Sequence, residues 1–543
     1  MENNSINKEK LILTENDENS KLNKIEYSNN NILNTKYILD YLSLKNKNII
    51  KVEISYDENS NNLIIINLEN NIKLFSFSPD EIISQTSESS IESNEKILIK
   101  TKLKLTEDEI SQKEILKIKT FSITIKKLNC LSCFFYCKCS SKKIISPRQI
   151  NTYYFLINKK KKENFQKFLN QITLPKLNEL NSKNRKRKLL IFINPIGGKG
   201  NAIKIWEKAN KILSEIPSIS LEIIYTSYFK NAYDIILKKK SLYNYDGIIT
   251  CSGDGILHEV INAIFHREDC DILINKLIFS SLPAGSGNAF SKNISYYNNE
   301  KNNLIENQCY YIIKGIYKKI DLLEYELRDF DKKIYSFLTL TWSFISDCDL
   351  ESEFLRCLGE IRVTLMGVIR WVCLRKYYGT LYYSNDNNID LNSIPSIHEN
   401  LNENDFNLIK ENDQYNLFVA NNMKWVSEDH FPSYKAELAD GYVDILYLKG
   451  SDSGKYILFK ELLFYFDNGN LIYDNDNKLK KGIHYIKTKF WRLIPKNNLN
   501  DLDDVNIKYN FNTFFAIDGE KYPICPVQCK VLNKVISAYS GKE

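Results

Sequence analysis

Residues 245–261 read YDGIITCSGDGILHEVI. The first six residues predict a buried β-strand, and the last six predict the start of an amphipathic helix. Between them, Gly253 and Gly255 let backbone amides approach an anion closely, and the helix start adds unpaired N–H groups and a favourable dipole. Asp254 lies between the two glycines. The stretch therefore predicts a phosphate-binding turn that also holds a carboxylate.

Three further units repeat this order of strand, turn and helix. Their strands are predicted at 189–193, 221–225 and 277–279, and the turns that follow are 194–200, 226–230 and 282–290. Because four such units follow one another within about 100 residues, they predict a right-handed parallel sheet with helices packed on it. The turns of such a sheet gather at one edge, where nucleotides bind.

Two common nucleotide-binding classes do not fit. No Gly-x-x-x-x-Gly-Lys-Ser/Thr pattern occurs, which removes the main support for a P-loop. The first turn, Gly197–Gly200, lacks the Gly-x-Gly-x-x-Gly spacing of a dinucleotide site.

Five motifs carry a resemblance to the catalytic domain shared by diacylglycerol, ceramide and sphingosine kinases. They are NPIGGKG at 194–200, SGDGILHEV at 252–260, LPAGSGNA at 282–289, the block at 337–362 and FAIDGE at 515–520. The block at 337–362 is similar to the corresponding segment of sphingosine kinases specifically. The resemblance extends over roughly residues 187 to 540, and five ordered motifs are far more specific than one.

The resemblance implies ATP-dependent, Mg²⁺-assisted phosphorylation of the primary hydroxyl of sphingosine or a related long-chain base. Such a transfer needs phosphate-binding amides, cations and a carboxylate that orients and deprotonates the acceptor hydroxyl. Asp254 matches the general base of the family. The residues that match its nucleotide contacts are Asn194, Pro195, Ile196, Gly197, Gly198, Thr226, Ser227, Tyr228, Phe229, Lys230, Glu259, Gly285, Ser286, Gly287, Arg356, Arg362, Asp518 and Gly519.

The spacing of Arg356 and Arg362 limits how both could contact one ligand. Arg356 and Arg362 would lie about 120° apart on an ideal helix. Both reach one ligand only if that ligand spans two faces of the helix, or if Gly359 bends it.

A second set of residues is expected to contact the acceptor lipid: Ser252, Gly253, Asp254, Thr339, Phe344, Ile345 and Asp349. A long-chain base carries an ammonium beside its primary hydroxyl, and the Asp349 carboxylate in a partly apolar pocket would hold that cation. Diacylglycerol and ceramide have no cation and would leave Asp349 without a partner. Phe344 and Ile345 fit a contact with the lipid tail, but they fit an ordinary core equally well.

Alternatives stay open at this level. Asp347, Asp349, Glu351 and Glu353 suit the start of a helix as well as a metal cluster, and no metal ligand is assigned. A ceramide or diacylglycerol kinase is the nearest alternative enzyme. A catalytically silent lipid-binding scaffold is the alternative outside enzymes.

The expected architecture is an α/β nucleotide-binding domain with a parallel sheet, a β-rich, sandwich-like C-terminal domain and a β-rich N-terminal extension that resembles a pleckstrin-homology module. The N-terminal module is predicted from short stretches of alternating apolar residues and from a helix predicted at 163–172. The last domain is expected to include a helix through 350–374. Asn-rich insertions are expected to be mobile loops; these are 384–413 and 496–508. The predicted boundaries are a disordered tail at 1–45, the N-terminal module at 46–175, the catalytic domain at 186–320 and the lipid-binding domain at 321–543.

Charge and composition suggest where the protein works. The net charge of +7 is concentrated in lysine-rich clusters such as 159–162, 183–188 and 238–240. An anionic membrane surface suits a lipid kinase better than nucleic acid does. Since no apolar run of about 18 residues occurs and the start is not a signal peptide, a cytoplasmic, peripherally membrane-associated enzyme is expected. The expected partners are ATP, a long-chain base and anionic membrane, no nucleic acid and, as an option, a second copy of the chain in a homodimer.

The 12 cysteines are mostly scattered, which is typical of reduced thiols in an intracellular protein. One cluster stands out: Cys130, Cys133, Cys137 and Cys139. Its basic and aromatic neighbours suit an S-acylated membrane-facing loop, and its spacing also has some likeness to a zinc site.

Overall fold

A computed structural model describes most of the chain in segments. These are residues 37–43, 48–57, 62–68, 72–77, 82–86, 113–122, 125–127, 143–145, 148–158, 186–216, 218–352, 355, 361–402, 404–428, 430–433, 435–450, 482–501, 503 and 513–542. The chain divides into two compact units, Met1–Lys186 with Ile212–Ile219, and Arg187–Lys211 with Ser220–Glu543.

The first unit contains a seven-stranded sheet in the order β4-β3-β2-β1-β9-β6-β5. Its strands are β1 (Tyr37–Ser43), β2 (Asn48–Asp57), β3 (Asn62–Asn67), β4 (Ile72–Phe77), β5 (Ile82–Thr86), β6 (Lys113–Ser122) and β9 (Gln149–Asn158), and β7 (Ile125–Lys127) and β8 (Lys143–Ile145) form a separate pair. Neighbouring strands pair antiparallel, and Val52, Ile54, Leu63 and Ile65 are buried at every second position. This alternation is the period of a strand with one buried face.

Several expectations for the N-terminal part lie outside the described residues. These are the strand expected at 97–103, the helix expected at 163–172 and the cluster from Cys130 to Cys139. The likeness to a pleckstrin-homology module therefore stays a prediction. The tail predicted to be disordered contains a strand, because β1 pairs with β2 from Tyr37 to Ser43.

The α/β part of the second unit is built on the predicted parallel strands. In order across the sheet they are β11 (Ile219–Tyr225), β10 (Arg187–Ile193), β12 (Gly247–Ser252) and β13 (Ile278–Pro283). β12 pairs parallel with both β10 and β13. Leu189 to Ile193 are completely buried, as expected for a strand covered on both faces. The expectation of a parallel sheet is confirmed.

Helices connect these strands. They are α1 (Gly197–Gly200), α2 (Ala202–Leu213), α3 (Asn231–Lys238), α4 (Asp254–Phe265), α5 (Cys270–Lys276), α6 (Ala289–Tyr297) and α7 (Ile305–Lys314), with a short 3₁₀ turn at Leu242–Asn244. In α4, Leu257, Val260, Ile261 and Ile264 are fully buried. The helix that begins at the glycine turn is therefore part of the core.

The remainder of the second unit is β-rich, as predicted. Its strands are β14 (Tyr317–Leu327), β15 (Ile334–Ser336), β16 (Thr339–Ser343), β17 (Tyr378–Ser384), β18 (Leu408–Asn421), β19 (Val443–Lys449), β20 (Ile483–Thr488), β21 (Phe490–Lys496), β22 (Phe514–Ile517), β23 (Glu520–Pro523) and β24 (Val527–Tyr539). Two helices, α8 (Phe344–Glu351) and α9 (Ile361–Val372), and a 3₁₀ turn at Asp405–Asn407 interrupt them. Residues 353–354 and 356–360, between the two helices, lie outside the described residues.

The C-terminal strand joins the two parts of this unit. β24 pairs parallel with β13 and antiparallel with β14 and β21. As a result, the parallel and antiparallel strands belong to one 15-stranded sheet. β14 runs across the boundary predicted at 320.

The β-rich part has two apolar cores that bear on the site. The larger contains Trp342, Tyr415, Phe418 and Trp491. The smaller lies beneath α8, and we call it the α8 cluster. Its buried members are Phe344, Cys348, Leu417, Val419, Leu446, Leu448 and Ile483.

The first Asn-rich insertion is anchored, and the prediction that residues 384–413 form a mobile loop is wrong. β18 begins within it at Leu408, and Ile394 and Ile397 are buried. The buried guanidinium of Arg492 donates to the carbonyls of Pro395 and Ser396 at 3.1 and 3.0 Å. A buried cation needs such acceptors, so the insertion is held to the sheet. Among the described residues, no helix is long and apolar enough to cross a membrane.

Candidate active site

The three glycine-containing turns lie side by side at the ends of β10, β12 and β13. The amide of Asn194 donates to the carbonyl of Cys251 at 3.3 Å, and the amide of Ala284 donates to the carbonyl of Ser252 at 3.2 Å. A Cβ added to Gly197 would lie 3.6 Å from the carbonyl oxygen of Ala284. The turns meet because the carboxyl ends of parallel strands share one edge of the sheet.

The second and third turns are in direct backbone contact. A Cβ added to Gly285 would lie 2.2 Å from the Cα of Gly253, and a Cβ added to Gly253 would lie 2.7 Å from the carbonyl oxygen of Gly287. The amide of Asp254 donates to that same carbonyl at 3.1 Å. Only glycine permits this approach, so two separate motifs form one structural element.

Asp254 is held at the start of the neighbouring helix α6. Its Oδ2 accepts a hydrogen bond from the amide of Ala289 at 2.7 Å, and its Oδ1 accepts one from the amide of Phe290 at 3.0 Å. The side chain is 7% exposed. Burial raises the pKa of Asp254 to about 6, although the two backbone hydrogen bonds oppose the shift. The carboxylate is therefore fixed in place and more basic than an ordinary aspartate.

The first turn is ordered by its own asparagine. Asn194 Oδ1 accepts from the amide of Ile196 at 3.2 Å, and its carbonyl accepts from the amide of Gly197 at 3.0 Å. Ile196 is 82% exposed, Pro195 is partly exposed, and Ser286 in the third turn is exposed. The predicted phosphate contacts at 194–198 and 285–287 thus come together at an accessible edge.

The turn after β11 lies beside the first turn. The amide and hydroxyl of Thr226 donate to the carbonyl of Ile193, at 2.8 and 3.4 Å. Ser227 donates to Asn231 Oδ1 through its amide at 3.1 Å and through its hydroxyl at 3.3 Å. These bonds place the beginning of the 226–230 segment next to the end of β10.

The rest of this segment projects outwards. Tyr228 and Phe229 are 56% and 68% exposed, and the Tyr228 hydroxyl donates to Asp234 at 3.0 Å. Lys230 has a left-handed backbone conformation, with φ of 64°. Nucleotide contact by this segment stays a prediction.

Glu259 holds the start of α3. Its carboxylate accepts from the amides of Lys230, Ala232 and Tyr233 at 3.1, 3.2 and 3.4 Å, and burial raises its pKa. It therefore fixes the 226–230 segment to α4 in the manner of a carboxylate at a helix N-terminus. A direct contact between Glu259 and the nucleotide stays a prediction.

Asp349 and Arg362, assigned to different ligands from the sequence, are neighbours. An oxygen of the Asp349 carboxylate lies 3.7 Å from a guanidinium nitrogen of Arg362, and the Asp349 side chain is 42% exposed. Arg362 also donates to the Ser352 hydroxyl at 3.1 Å. Arg356 lies outside the described residues, so the angular relation of the two arginines stays a prediction.

The rest of the acidic block forms ion pairs. Asp347 and Glu351 accept from Arg375 at 2.6 and 2.8 Å, Tyr377 donates to Asp347, and Arg370 pairs with Glu351. Asp347 lies in the first turn of α8, which fits the helix-start interpretation. Glu353 is outside the described residues. These pairs join α8 to the end of α9.

The remaining predicted lipid contacts are largely buried. The Thr339 hydroxyl donates to the carbonyl of Ala420 at 3.0 Å. Phe344 belongs to the α8 cluster and Ile345 packs against it. The Ser252 hydroxyl donates to the carbonyl of Gly253 at 2.7 Å. Both interpretations of Phe344 and Ile345, core and tail contact, remain compatible with these positions.

The buried carboxylate of Asp518 accepts hydrogen bonds from several segments of the chain. It accepts from the Ser336 hydroxyl at 2.6 Å, from the amides of Leu338 and Thr339 at 3.0 Å each, and from His258 Nδ1 at 2.9 Å. Asp518 is 4% exposed. Through these hydrogen bonds Asp518 joins α4 to the residues between β15 and β16. A contact between Asp518 and the nucleotide stays a prediction.

The turn after Asp518 lies against the central glycine turn. A Cβ added to Gly255 would lie 2.7 Å from Glu520 Oε1. Gly519 has φ of 83° and open space around it. Nε2 of His258 lies 3.1 Å from the Tyr522 hydroxyl, so this histidine links α4 to β23. The last of the five motifs is therefore adjacent to the second.

Two residues of the site were not singled out from the sequence. Asn288 lies inside the LPAGSGNA motif, and its side chain bonds both the amide and the carbonyl of Gly285, at 2.9 and 3.0 Å. Glu428 accepts from Asn288 at 2.9 Å, although it follows Asn288 by 140 residues. The motif itself could have pointed to Asn288, whereas no local signal marks Glu428.

Among the described residues, no group of three or more His, Cys, Asp or Glu side chains could hold a metal. Mg²⁺ in phosphoryl-transfer sites is commonly held by substrate phosphates, water and only one or two carboxylates.

The chain is similar in sequence to known lipid kinases. The diacylglycerol kinase catalytic domain matches residues 188–325. Sphingoid long chain base kinase 4 of Schizosaccharomyces pombe is 30% identical over 377 residues, covering 65% of this chain and 74% of its own. Sphingosine kinase 1 of Arabidopsis thaliana is 30% identical over 353 residues, covering 60% and 68%. A diacylglycerol kinase structure from Bacillus anthracis str. Sterne covers 66% of this chain and 97% of its own, at 16% identity and a TM-score of 0.42.

Glycine turns in mutual contact, an aspartate fixed between them and similarity over most of two curated kinases lead to one assignment. The chain belongs to the family of sphingosine and sphingoid long-chain base kinases.

Proposed function

We propose that the protein transfers the γ-phosphoryl group of ATP to the primary hydroxyl of sphingosine or a related long-chain base. The observation that carries the proposal is the contact between the Gly253 and Gly285 turns, with Asp254 anchored between them by the amides of Ala289 and Phe290. Membership of the kinase family supports the reaction class. Positioning and charge neutralisation dominate such transfers, so backbone amides and one fixed carboxylate suffice for much of the chemistry.

Asp254 acts as the general base in this proposal. The acceptor oxygen attacks the γ-phosphorus, the bond from phosphorus to the β,γ-bridging oxygen breaks, and the hydroxyl proton moves to the carboxylate. Each oxygen of Asp254 accepts one backbone hydrogen bond and keeps a further acceptor position. A pKa of about 6, raised by burial, suits a base that works near neutral pH.

ATP would lie along the shared edge of the turns. The turns at 194–198 and 285–287 would lie against the phosphates, and the 226–230 segment would face the nucleoside. Arg362, with Arg356 from the undescribed connection, would add positive charge. Mg²⁺ would be held by the phosphates and water, and it would supply neutralisation of the charge that develops on the phosphate oxygens.

The acceptor would be recognised at α8. The half-exposed Asp349 carboxylate, 3.7 Å from Arg362, would accept the substrate ammonium, which a neutral lipid cannot provide. The α8 cluster beneath it offers apolar surface that includes Phe344, with Ile345 packed against it. A tail that enters there would bury its methylene groups at about 0.8 kcal/mol each.

Peripheral membrane contact belongs to the same proposal. α9 exposes Leu365, Val368, Ile369 and Val372, at 43%, 41%, 47% and 61%. Their spacing of three, four and seven places them on one helical face, which suits the surface of a bilayer that holds the lipid substrate. A cytoplasmic, membrane-associated location follows from the proposal and is tested by cell fractionation, and the homodimer by light scattering of the purified chain.

One acceptor panel tests the central proposal. Purified protein is given labelled ATP and Mg²⁺ with sphingosine, dihydrosphingosine, phytosphingosine, ceramide and diacylglycerol. Phosphate should be transferred to the three amino lipids and not to the two neutral ones. Transfer only to ceramide or diacylglycerol, or to no lipid at all, would overturn it.

A further inference from the structure

The segment from Trp425 to Glu428, which we call the bridging segment, lies between β18 and β19 and contacts two separate parts of the site. Val426 packs against the α8 cluster. The backbone of Trp425 exchanges two hydrogen bonds with the side chain of Asn293 in α6: Asn293 donates to its carbonyl at 2.8 Å, and its amide donates to Asn293 Oδ1 at 3.0 Å. The segment therefore touches both the predicted lipid site and the helix that anchors Asp254.

The contact with α6 is well packed. Asn293 is 3% exposed. The Trp425 ring stacks on Phe431, with the ring centroids 4.8 Å apart and the ring planes at 12°. Lys292 Nζ lies 4.3 Å from the centroid of the Trp425 ring. Buried hydrogen bonds of this kind fix relative position because leaving either partner unpaired is costly.

Glu428 reaches the glycine turn itself. Its Oε1 accepts from Asn288 Nδ2 at 2.9 Å and from Asn303 Nδ2 at 3.3 Å. Asn288 in turn bonds the amide and carbonyl of Gly285. The carboxylate of Glu428 thus orients the amide group that shapes the Gly285–Gly287 turn.

The same asparagine precedes the amides that hold the base. Ala289 and Phe290, which follow Asn288, donate to Asp254. A displacement of Asn288 would therefore move the turn expected to bind nucleotide and the two donors to Asp254 together. Glu428 acts on both through one residue.

We propose that Glu428 is a positioning residue for phosphoryl transfer: through Asn288 it holds the Gly285–Gly287 turn and the start of α6 in their working geometry, and the bridging segment ties that geometry to the lipid site. The part that concerns Asp254 rests on the proposed function. The part that concerns the nucleotide turn rests only on the proposed placement of ATP, and not on the identity of the acceptor lipid.

The experiment compares four variants of the full chain. Glu428→Ala removes the acceptor, Glu428→Asp shortens it by one methylene, and Glu428→Gln keeps an amide oxygen at the same reach. Glu437→Gln is the matched control, since Glu437 belongs to the same β18–β19 connection, is 62% exposed and pairs with Lys424. For each protein we would measure the thermal midpoint, the Kd for ATP with Mg²⁺ by calorimetry, and kcat and KM with sphingosine.

Glu428→Ala and Glu428→Asp should weaken ATP binding and lower kcat by about tenfold each, as expected when Asn288 loses the acceptor that holds it. Glu428→Gln should remain within about threefold of the wild type in both quantities, because its amide oxygen accepts the same bonds. Glu437→Gln should match the wild type.

Three results would overturn the proposal. One is wild-type ATP affinity and kcat in folded Glu428→Ala. Another is a lowered thermal midpoint with unchanged kinetics, which indicates a role in stability alone. The third is equal damage in Glu428→Gln and Glu428→Ala. If Glu428→Ala does not fold, Glu428→Asp carries the same comparison. A wild-type protein that binds ATP but phosphorylates no sphingoid base would sink the proposed function, while the calorimetric comparison still tests Glu428.

Discussion

The glycine turns at the sheet edge and the α8–α9 region are held together by different forces. At the turns, backbone bonds backbone: Asp254 to Gly287 and Ala284 to Ser252, with Gly253 and Gly285 in contact. At α8 and α9, the bonds are ion pairs between side chains, such as Arg375 with Asp347. The contact between the turns therefore depends on the absence of a side chain at Gly253 and Gly285, whereas the helices depend on pairs of charged side chains.

This difference predicts how each region tolerates change. A backbone contact between glycines has no room to adapt, so any side chain there disrupts it. An ion pair at a partly exposed position can be replaced at moderate cost, because water and neighbouring groups compensate. The following predictions test the contrast, from the largest expected effect to the smallest.

Gly285→Ala should be the most damaging change. Its Cβ would lie 2.2 Å from the Cα of Gly253, and backbone cannot withdraw as a flexible side chain can. We expect a loss of roughly 3–5 kcal/mol in the free energy of unfolding and no measurable ATP binding, monitored by urea denaturation and calorimetry. Gly197→Ala is the control for stability, since its Cβ would meet the nearest atoms at 3.6 Å. Wild-type unfolding of Gly285→Ala would show that the two turns are not in contact.

Asp254→Asn should lower kcat by about 10²–10⁴ through loss of the base. The substitution should also lower stability. Both carboxylate oxygens accept hydrogen bonds from backbone amides, so the NH₂ group of the asparagine would face one of these N–H donors. This mismatch should cost about 1–3 kcal/mol of stability. Steady-state kinetics and denaturation separate the two effects, and an active Asp254→Asn protein would rule out Asp254 as the base.

The pH profile of the wild type gives an independent test of Asp254. The base works only when ionised, and burial raises its pKa to about 6. The rate should therefore fall about tenfold per pH unit below that value and level off above it. Measured kcat/KM from pH 5 to 8 should show this limb, and Asp254→Asn should lack it. A wild-type rate that stays constant across this range contradicts the assignment.

Asp349→Asn probes the α8 side of the comparison. We expect KM for sphingosine to rise about ten- to hundredfold, since a charge-assisted hydrogen bond to the ammonium is lost. The Kd for ATP should change much less, because Asp349 would act on ATP only through its neighbour Arg362. Asp331→Asn, at an exposed position, serves as the matched control. An equal loss of ATP and sphingosine binding would argue against an ammonium contact.

Arg375→Met should have the smallest effect. It leaves the buried Asp347 with Tyr377 as a partner, so we expect a loss of about 1–3 kcal/mol of stability and a rise of a few-fold in KM for sphingosine. ATP affinity should not change. Lys376→Met, at the exposed neighbouring position, is the control, and partial rescue by Arg375→Lys would identify the ion pair as the cause. A stronger effect than that of Gly285→Ala would reverse the proposed contrast.

Much of the α/β part could be predicted from the sequence because its signals are local. The strand of residues 189–193 is an uninterrupted apolar run, and the turns carry glycines at fixed offsets from the strands. The prediction that these turns meet follows from parallel-sheet geometry alone. The anchored insertion at 384–413 was missed, since its low-complexity composition gives no hint that Arg492 lies beneath it.

The parallel strands, the turns that converge at their ends and the family could be inferred from the sequence, because each depends on residues close together along the chain. The roles of Asp518, Asp349 and Glu428 could not be inferred in this way, because they depend on contacts between distant segments. His258 and Asp518 are 260 residues apart, and Asn288 and Glu428 are 140 apart. The partner of a polar side chain depends on which distant segments the sheet brings together, and no local pattern encodes that.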